Sequence, residues 1–138
     1  MRQALVNAAE PGAGYNPPIT VVAVQKNHNK RFFGEVADNT GSSASASAST
    51  KLVNVCPGTV VDRDVVHPTQ FEFYLNSHAA IQGTCKPTNY RPLYDENGFS
   101  SDSLQLMLYY HCYLYQRATR AVSLPAPVFY AVSVLDCC

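Results

Sequence analysis

Short apolar runs separated by turn-forming residues fill most of this chain, and few stretches keep a helical period. Ile19 to Val24 is apolar and largely β-branched, with Pro17 and Pro18 before it and polar Gln25, Lys26 and Asn27 after it. That pattern predicts a buried, central strand. Ahead of it, Met1 to Ala9 has helical character that stops at Pro11, Gly12 and Gly14. Helix, connection and strand in this order point to an α/β arrangement. Arg31 to Val36 and Thr59 to Asp62 predict further strands, and Gln70 to Leu75 another, with Phe71, Phe73 and Leu75 alternating onto one face. Tyr90 to Tyr94 reads as a shorter strand that Pro92 confines to an edge or a bulge.

The clearest helix opens at Ser100, Ser101 and Asp102, which offer a hydroxyl for the N-cap and a carboxylate for the positive end of the helix dipole. Leu104, Leu108, His111 or Cys112, and Tyr115 extend it at helical spacing toward Arg120. Pro125 and Pro127 interrupt the pattern, and Pro127 suits the first turn of a final helix through Phe129, Tyr130 and Val134. Residues 39–50, mostly Ser, Ala and Thr, have nothing to bury and are expected to form a flexible surface loop.

Composition narrows the class. A chain of 138 residues makes one domain or less. With 46% hydrophobic and 14% charged residues it is globular rather than disordered. Ten Lys and Arg balance ten Asp and Glu, so any nucleic-acid surface must be local. No apolar run approaches the roughly 20 residues of a membrane span, and Met1 to Ala9 lacks a secretory apolar region, so a soluble intracellular protein is expected. Five Cys, at 56, 85, 112, 137 and 138, fit neither a disulfide framework nor a zinc pattern and read as buried reduced thiols.

Three constellations carry candidate chemistry. Lys26, His28, Lys30 and Arg31 follow the first strand, where open α/β sheets gather ligands; a phosphate cradle and a solvated basic loop both fit. Asn76 to Lys86 interleaves Ser77, His78, Gln82, Thr84 and Lys86 with small residues, which lets backbone approach a ligand or simply forms a turn. Ser77 and His78 make a poor nucleophilic pair, because adjacent side chains point apart and no orienting carboxylate is evident. Arg117 and Arg120, expected on one face of the long helix with Ser123 just beyond, suit either a shared phosphate or carboxylate partners elsewhere in the fold. Asp62, Asp64 and His67 do not complete a metal ligand set. Tyr109, Tyr110, Tyr113 and Tyr115 suit helix packing better than base stacking.

Taken in order, these pieces resemble the C-terminal half of the PIWI domain of eukaryotic Argonaute proteins. The resemblance rests on Ile19 and Thr20 with Val24, Gln25, Lys26, His28, Arg31 and Phe33, on Gly58 to Asp62, and on His67, Pro68 and Thr69 with Phe71 and Phe73 to Leu75. It continues through Ser77 to Ala79, Ile81 to Thr84, Lys86 and Pro87, then Phe99 to Asp102, Leu104 and Gln105. Arg117, Arg120, Val122, Ser123, Pro125 to Pro127, Tyr130 and Ala131 complete it, so it spans about residues 15–131.

The resemblance implies an α/β, partial ribonuclease H-like (PIWI) fold, a mixed sheet with flanking helices, and residues 1–138 as an incomplete PIWI domain. It implies small-RNA-guided silencing, in which the protein holds the backbone of a guide RNA while base pairing with a target RNA supplies specificity. It places Lys26, His78, Gln82, Lys86, Arg117 and Ser123 at guide-phosphate contacts, Arg31 and Arg120 less firmly beside them, and Tyr15 at a pocket for Trp-rich silencing proteins. Cytoplasmic or nuclear localisation follows. Family members that cut RNA use acidic residues and usually a His to hold two Mg2+ ions. Here Val132 stands where that His is implied, and Cys137 where an Arg is. No catalytic residue and no cofactor are therefore expected in this chain, although a longer parent protein with a complete site would slice. A truncated product is preferred to a short paralogue, with an open sheet edge prone to aggregation.

Overall fold

The computed structural model describes residues 16–37 and 50–135. Met1 to Ala9, Tyr15, residues 39–49, Cys137 and Cys138 lie outside the described residues. The chain forms strands β1 (Thr20–Gln25), β2 (Phe33–Ala37), β3 (Thr50–Asn54), β4 (Thr59–Val61), β5 (Phe73–Asn76) and β6 (Thr88–Asp95). Two helices follow, α1 (Ser101–His111) and α2 (Ala126–Leu135). Four strands form one sheet in the order β1-β6-β5-β4, while β2 and β3 pair as a separate ribbon; every ladder is antiparallel.

Strand β5 is buried on both faces because neighbours flank it and layers cover it. On one face Phe73 and Leu75 join Tyr90 of β6 and Leu104 and Leu108 of α1 in the core. Phe73 lies opposite Tyr90 in the ladder, and their rings stack with centroids 5.3 Å apart. On the other face Tyr74 receives the edges of the His28 and Phe32 rings at 5.2 and 5.6 Å, with Lys30 Nζ 4.7 Å over its ring. The buried Glu72 carboxylate on this face accepts from Asn89 Nδ2, from the His67 amide at 3.1 Å and from the Tyr74 hydroxyl at 3.4 Å, with Arg91 at 3.6 Å. Burial works to raise its pKa, but these donors and cations outweigh it and hold the carboxyl below its usual range.

The capping reading of α1 is what the structure contains: Ser100 Oγ accepts from the Ser103 amide at 3.2 Å, and Asp102 lies in the first turn. Its expected extension toward Arg120 is corrected. The Cys112 carbonyl, which would accept from Gln116 in a continuing helix, instead takes the Val122 amide at 2.9 Å. The Gln116 amide donates to the Tyr130 hydroxyl at 3.2 Å. Arg117 and Arg120 therefore lie in the loop after α1, and Tyr115 stacks on Phe129 of α2 at 4.8 Å.

Other expectations are corrected as well. The strand carrying Pro92 is longer than read and lies inside the sheet; a register shift between Val21 and Val22 leaves Leu93 unpaired, which admits Pro92 at a bulge. Strand β1, expected to be central and buried, is half-buried and borders only β6 among the described strands. Thr50 opens β3 rather than closing a loop. Cys85 and Cys112 are buried thiols, but Cys56 is exposed.

Leu104→Ala, which opens the contact with Phe73 and Tyr90, is expected to cost about 2–5 kcal/mol in denaturant unfolding. The exposed Leu106→Ala is expected to stay within about 0.5 kcal/mol.

Candidate functional site

Beyond the ends of β1 and β5 two loops meet. The chain leaving β1 divides its basic residues between two tasks. Lys30 Nζ donates to the Val65 carbonyl at 2.6 Å, and Arg31 Nη1 donates to the carbonyls of His28 and Lys30 at 3.1 and 2.7 Å. His28 Nε2 donates to the Pro87 carbonyl at 2.9 Å, pinning this loop to the entrance of β6. Lys26 is half-buried, and its ammonium interacts electrostatically with Cys85, Lys86 and His78. Burial first, and Lys86 as a like charge, lower its pKa; Cys85 acts in the opposite direction.

The second loop runs from Ser77 to Lys86 and is braced by amides. Asn76 Nδ2 donates to the Val55 carbonyl at 3.0 Å, and Asn76 Oδ1 accepts from the Cys85 thiol at 2.6 Å. Burial raises the Cys85 pKa, which keeps that thiol protonated as a donor. His78 Nε2 lies 3.8 Å from Cys85 Sγ, and its buried Nδ1 has no hydrogen-bond partner. This scaffold lines a concavity of about 500 Å³ with His78, Gln82, Thr84 and Lys86. The Ser77 hydroxyl is not free for chemistry, since it donates to the Val122 carbonyl at 2.6 Å.

That bond is one of two straps that bring in the loop after α1. The other is Thr88 Oγ1 to the Ser123 carbonyl, at 2.6 Å. Arg120 thereby lines a second cavity of about 520 Å³ together with His78, Ile81, Tyr113 and Thr119. His78 and Ile81 form the wall between the two spaces. His78, Gln82 and Lys86 are thus brought together, Lys26 interacts electrostatically with His78 and Lys86, Arg120 joins His78 in the second cavity, and Ser123 is fixed nearby by its carbonyl. Arg31 is spent on its own loop. Arg117 is exposed in a turn closed by the Ala118 amide on the Tyr115 carbonyl, and no contact unites it with the others. Among the described residues none of Lys26, Lys86, Arg117 and Arg120 is paired with a carboxylate.

The sequence pattern of the Piwi domain matches residues 1–136. The chain belongs to the Piwi domain family. This Piwi chain is 52% identical over 118 residues to protein argonaute MEL1 of Oryza sativa subsp. japonica, covering 86% of the chain and 11% of that protein. It is 47% identical over 117 residues to protein argonaute 5 of Arabidopsis thaliana, covering 85% of the chain and 11% of that protein. Its fold is similar to the C-terminal lobe of a budding yeast Argonaute, with a TM-score of 0.72 and 37% identity over 87% of this chain and 24% of that one. Kluyveromyces polysporus Argonaute, solved with a guide RNA, gives a TM-score of 0.71 and 37% identity over 87% of this chain and 14% of that one. The Piwi chain therefore spans about a tenth of the length of these curated relatives, and its fold is the partial ribonuclease H-like one expected.

Among the described residues no three His, Cys, Asp or Glu side chains are grouped to hold a metal ion. Asp62 accepts from Gln105 at 3.3 Å, and His67 Nδ1 accepts from the Thr69 and Gln70 amides at 3.3 and 3.2 Å. Val132, on α2, is exposed. No helix among the described residues is long and apolar enough to cross a membrane.

Burial, with Lys26 as a like charge, lowers the His78 pKa; burial, opposed by the Pro87 bond, lowers that of His28, with Arg31 and Lys86 acting in the same direction as burial. A depressed histidine pKa means that the unfolded chain binds more protons below 6.5, so stability present above that value is lost as the pH falls through it. Glu72 contributes its own loss only below its unfolded value of 4.5. Thermal denaturation should therefore show Tm falling from about pH 7 to about pH 5. The double variant His28→Gln with His78→Gln should flatten that dependence.

Proposed function

We propose that this chain grips the sugar–phosphate backbone of a small guide RNA, so that the guide's bases pair with a target RNA in small-RNA-guided silencing. The observation that carries the reading is a concavity lined by His78, Gln82 and Lys86, with Lys26 of the neighbouring loop interacting electrostatically with Lys86 and His78, and neither lysine neutralised by a carboxylate among the described residues. The like charges of the partly buried Lys26 and of Lys86 repel, and a phosphate between them converts that repulsion into two charge-assisted contacts. Gln82 and Thr84 add neutral donors of the kind that read sugar and phosphate without reading bases. Kinship with an Argonaute solved with a guide RNA supports the same class of ligand.

In this reading the chain supplies grip and no cleavage. Among the described residues no carboxylate and histidine set is grouped for a metal ion, and Val132 occupies the place where the resemblance implies a metal-binding His. Slicing, where it occurs, belongs to a longer protein with a complete site. Arg120 extends the cationic surface on the far side of His78, and Arg117 contributes only through its general field.

Lys26→Ala and Lys86→Ala should each weaken binding of single-stranded RNA to a similar degree for unrelated sequences. Each should also make the slope of log K against log salt shallower by about 0.7, as expected for one lost single-strand phosphate contact. Arg31→Ala should leave that slope unchanged, because its guanidinium serves loop carbonyls. RNA retention by the double variant Lys26→Ala with Lys86→Ala equal to that of the parent, at every salt concentration, would refute the proposal.

A further inference from the structure

The loop that presents Gln82 and Lys86 is held at its tip by a residue from a different sheet. Asn54 ends β3, in the ribbon formed with β2, and its side-chain amide makes two bonds at once. Nδ2 donates to the Gly83 carbonyl at 2.8 Å, and Oδ1 accepts from the Cys85 amide at 3.0 Å. One side chain thus does what a neighbouring strand would do, satisfying an acceptor and a donor on either side of Thr84. Gly83 makes this possible by adopting φ of +74°, a conformation that favours glycine. The span clamped by Asn54 lies between Gln82 and Lys86, so its curvature sets how far apart those two side chains emerge.

Every other restraint on this loop acts at its ends. Asn76 holds the exit of β5 and the Cys85 thiol, and Ser77 is strapped to Val122. Gln82, Gly83 and Thr84 are exposed, and the space beside Gly83 is open among the described residues. We infer that Asn54 is a positioning residue for RNA backbone binding: its amide fixes the Gly83–Cys85 turn and thereby sets the spacing at which Gln82 and Lys86 meet successive phosphates. This rests on the RNA-binding reading above and adds to it a residue that touches no RNA itself. The β2–β3 ribbon gains a role with it. It leaves the sheet just after the loop of Lys26 and returns to brace the loop of Lys86, connecting the two loops.

The test measures this chain against a mixed-sequence single-stranded RNA oligomer, with Asn54→Ala combined in turn with Lys86→Ala and Lys26→Ala. Asn54→Ala should weaken binding about three- to tenfold, the range of a coupled contact. In its background Lys86→Ala should lose most of its effect while Lys26→Ala, on the other loop, keeps it in full. General destabilisation would change both equally. Amide hydrogen exchange at Cys85 should accelerate at least about tenfold in Asn54→Ala, with or without RNA. If Asn54→Ala fails to fold by circular dichroism, Asn54→Thr, which suits a strand but cannot span both partners, takes its place. Independent, additive effects of Asn54 and Lys86 in a chain that binds RNA would overturn the inference and leave the RNA reading standing. Unchanged Cys85 exchange would overturn it whatever the RNA result. A parent chain that binds no RNA, with Cys85 exchange still accelerated in the variant, would overturn the RNA reading and with it the role assigned to Asn54, leaving only the brace.

Discussion

Strand β5 has no face in contact with water, and that burial is the constraint on which the rest of the molecule depends. A strand covered on both sides needs two different kinds of cover. Phe73 and Leu75 take the apolar kind from α1 and from Tyr90. Tyr74 and Asn76 face polar neighbours, so their side must be closed by groups that satisfy hydrogen bonds and spread charge. The loop after β1 provides this with the rings of His28 and Phe32 and the ammonium of Lys30, while Glu72 is enclosed among Asn89, Arg91 and the His67 amide. Covering β5 therefore fixes the loop from which Lys26 projects.

The same strand also determines where the second loop begins. Asn76 and Ser77, its last buried residues, are each committed to backbone groups, Asn76 toward Val55 and Ser77 toward Val122. Once those bonds form, the turn from His78 to Lys86 has little freedom in where it starts, and the Cys85 thiol closes it by bonding back to Asn76. Lys26 and Lys86, on these two loops, repel one another, an arrangement that costs stability.

Much of the core was legible in the amino-acid order because it obeys local rules. The alternation of Phe73 and Leu75, the Ser100 cap and Pro127 in the first turn of α2 each act within a few residues, and each appears in the structure. What escaped depends on partners distant in sequence. Nothing near Cys112 shows that its carbonyl will be taken by Val122, so helical spacing ran on past the true end of α1 and placed Arg117 and Arg120 on it. Pro92 reads as an edge or a bulge, and only the pairing with Val22 across the sheet decides for the bulge. The basic run from Lys26 to Arg31 looked uniform, yet three of its side chains serve carbonyls while Lys26 interacts with Lys86 of the other loop. Asn54 and Asn76 carried only the faint signal of an asparagine at a strand end, a common place for side-chain amides to bond backbone.

The bond between Cys112 and Val122 also bears on how this region tolerates change. It pins both ends of the intervening segment, whose first residues pack on the helices, Tyr113 against Tyr109 of α1 and Tyr115 against Phe129 of α2. Lengthening a segment closed in this way costs little entropy, since the penalty grows only with the logarithm of its length. Residues 117–121, beyond those contacts, are therefore a place where insertions and deletions can accumulate among descendants of this sequence while the core stays in register. Variation there would alter the wall of the Arg120 cavity and leave the Lys26 side of the molecule untouched.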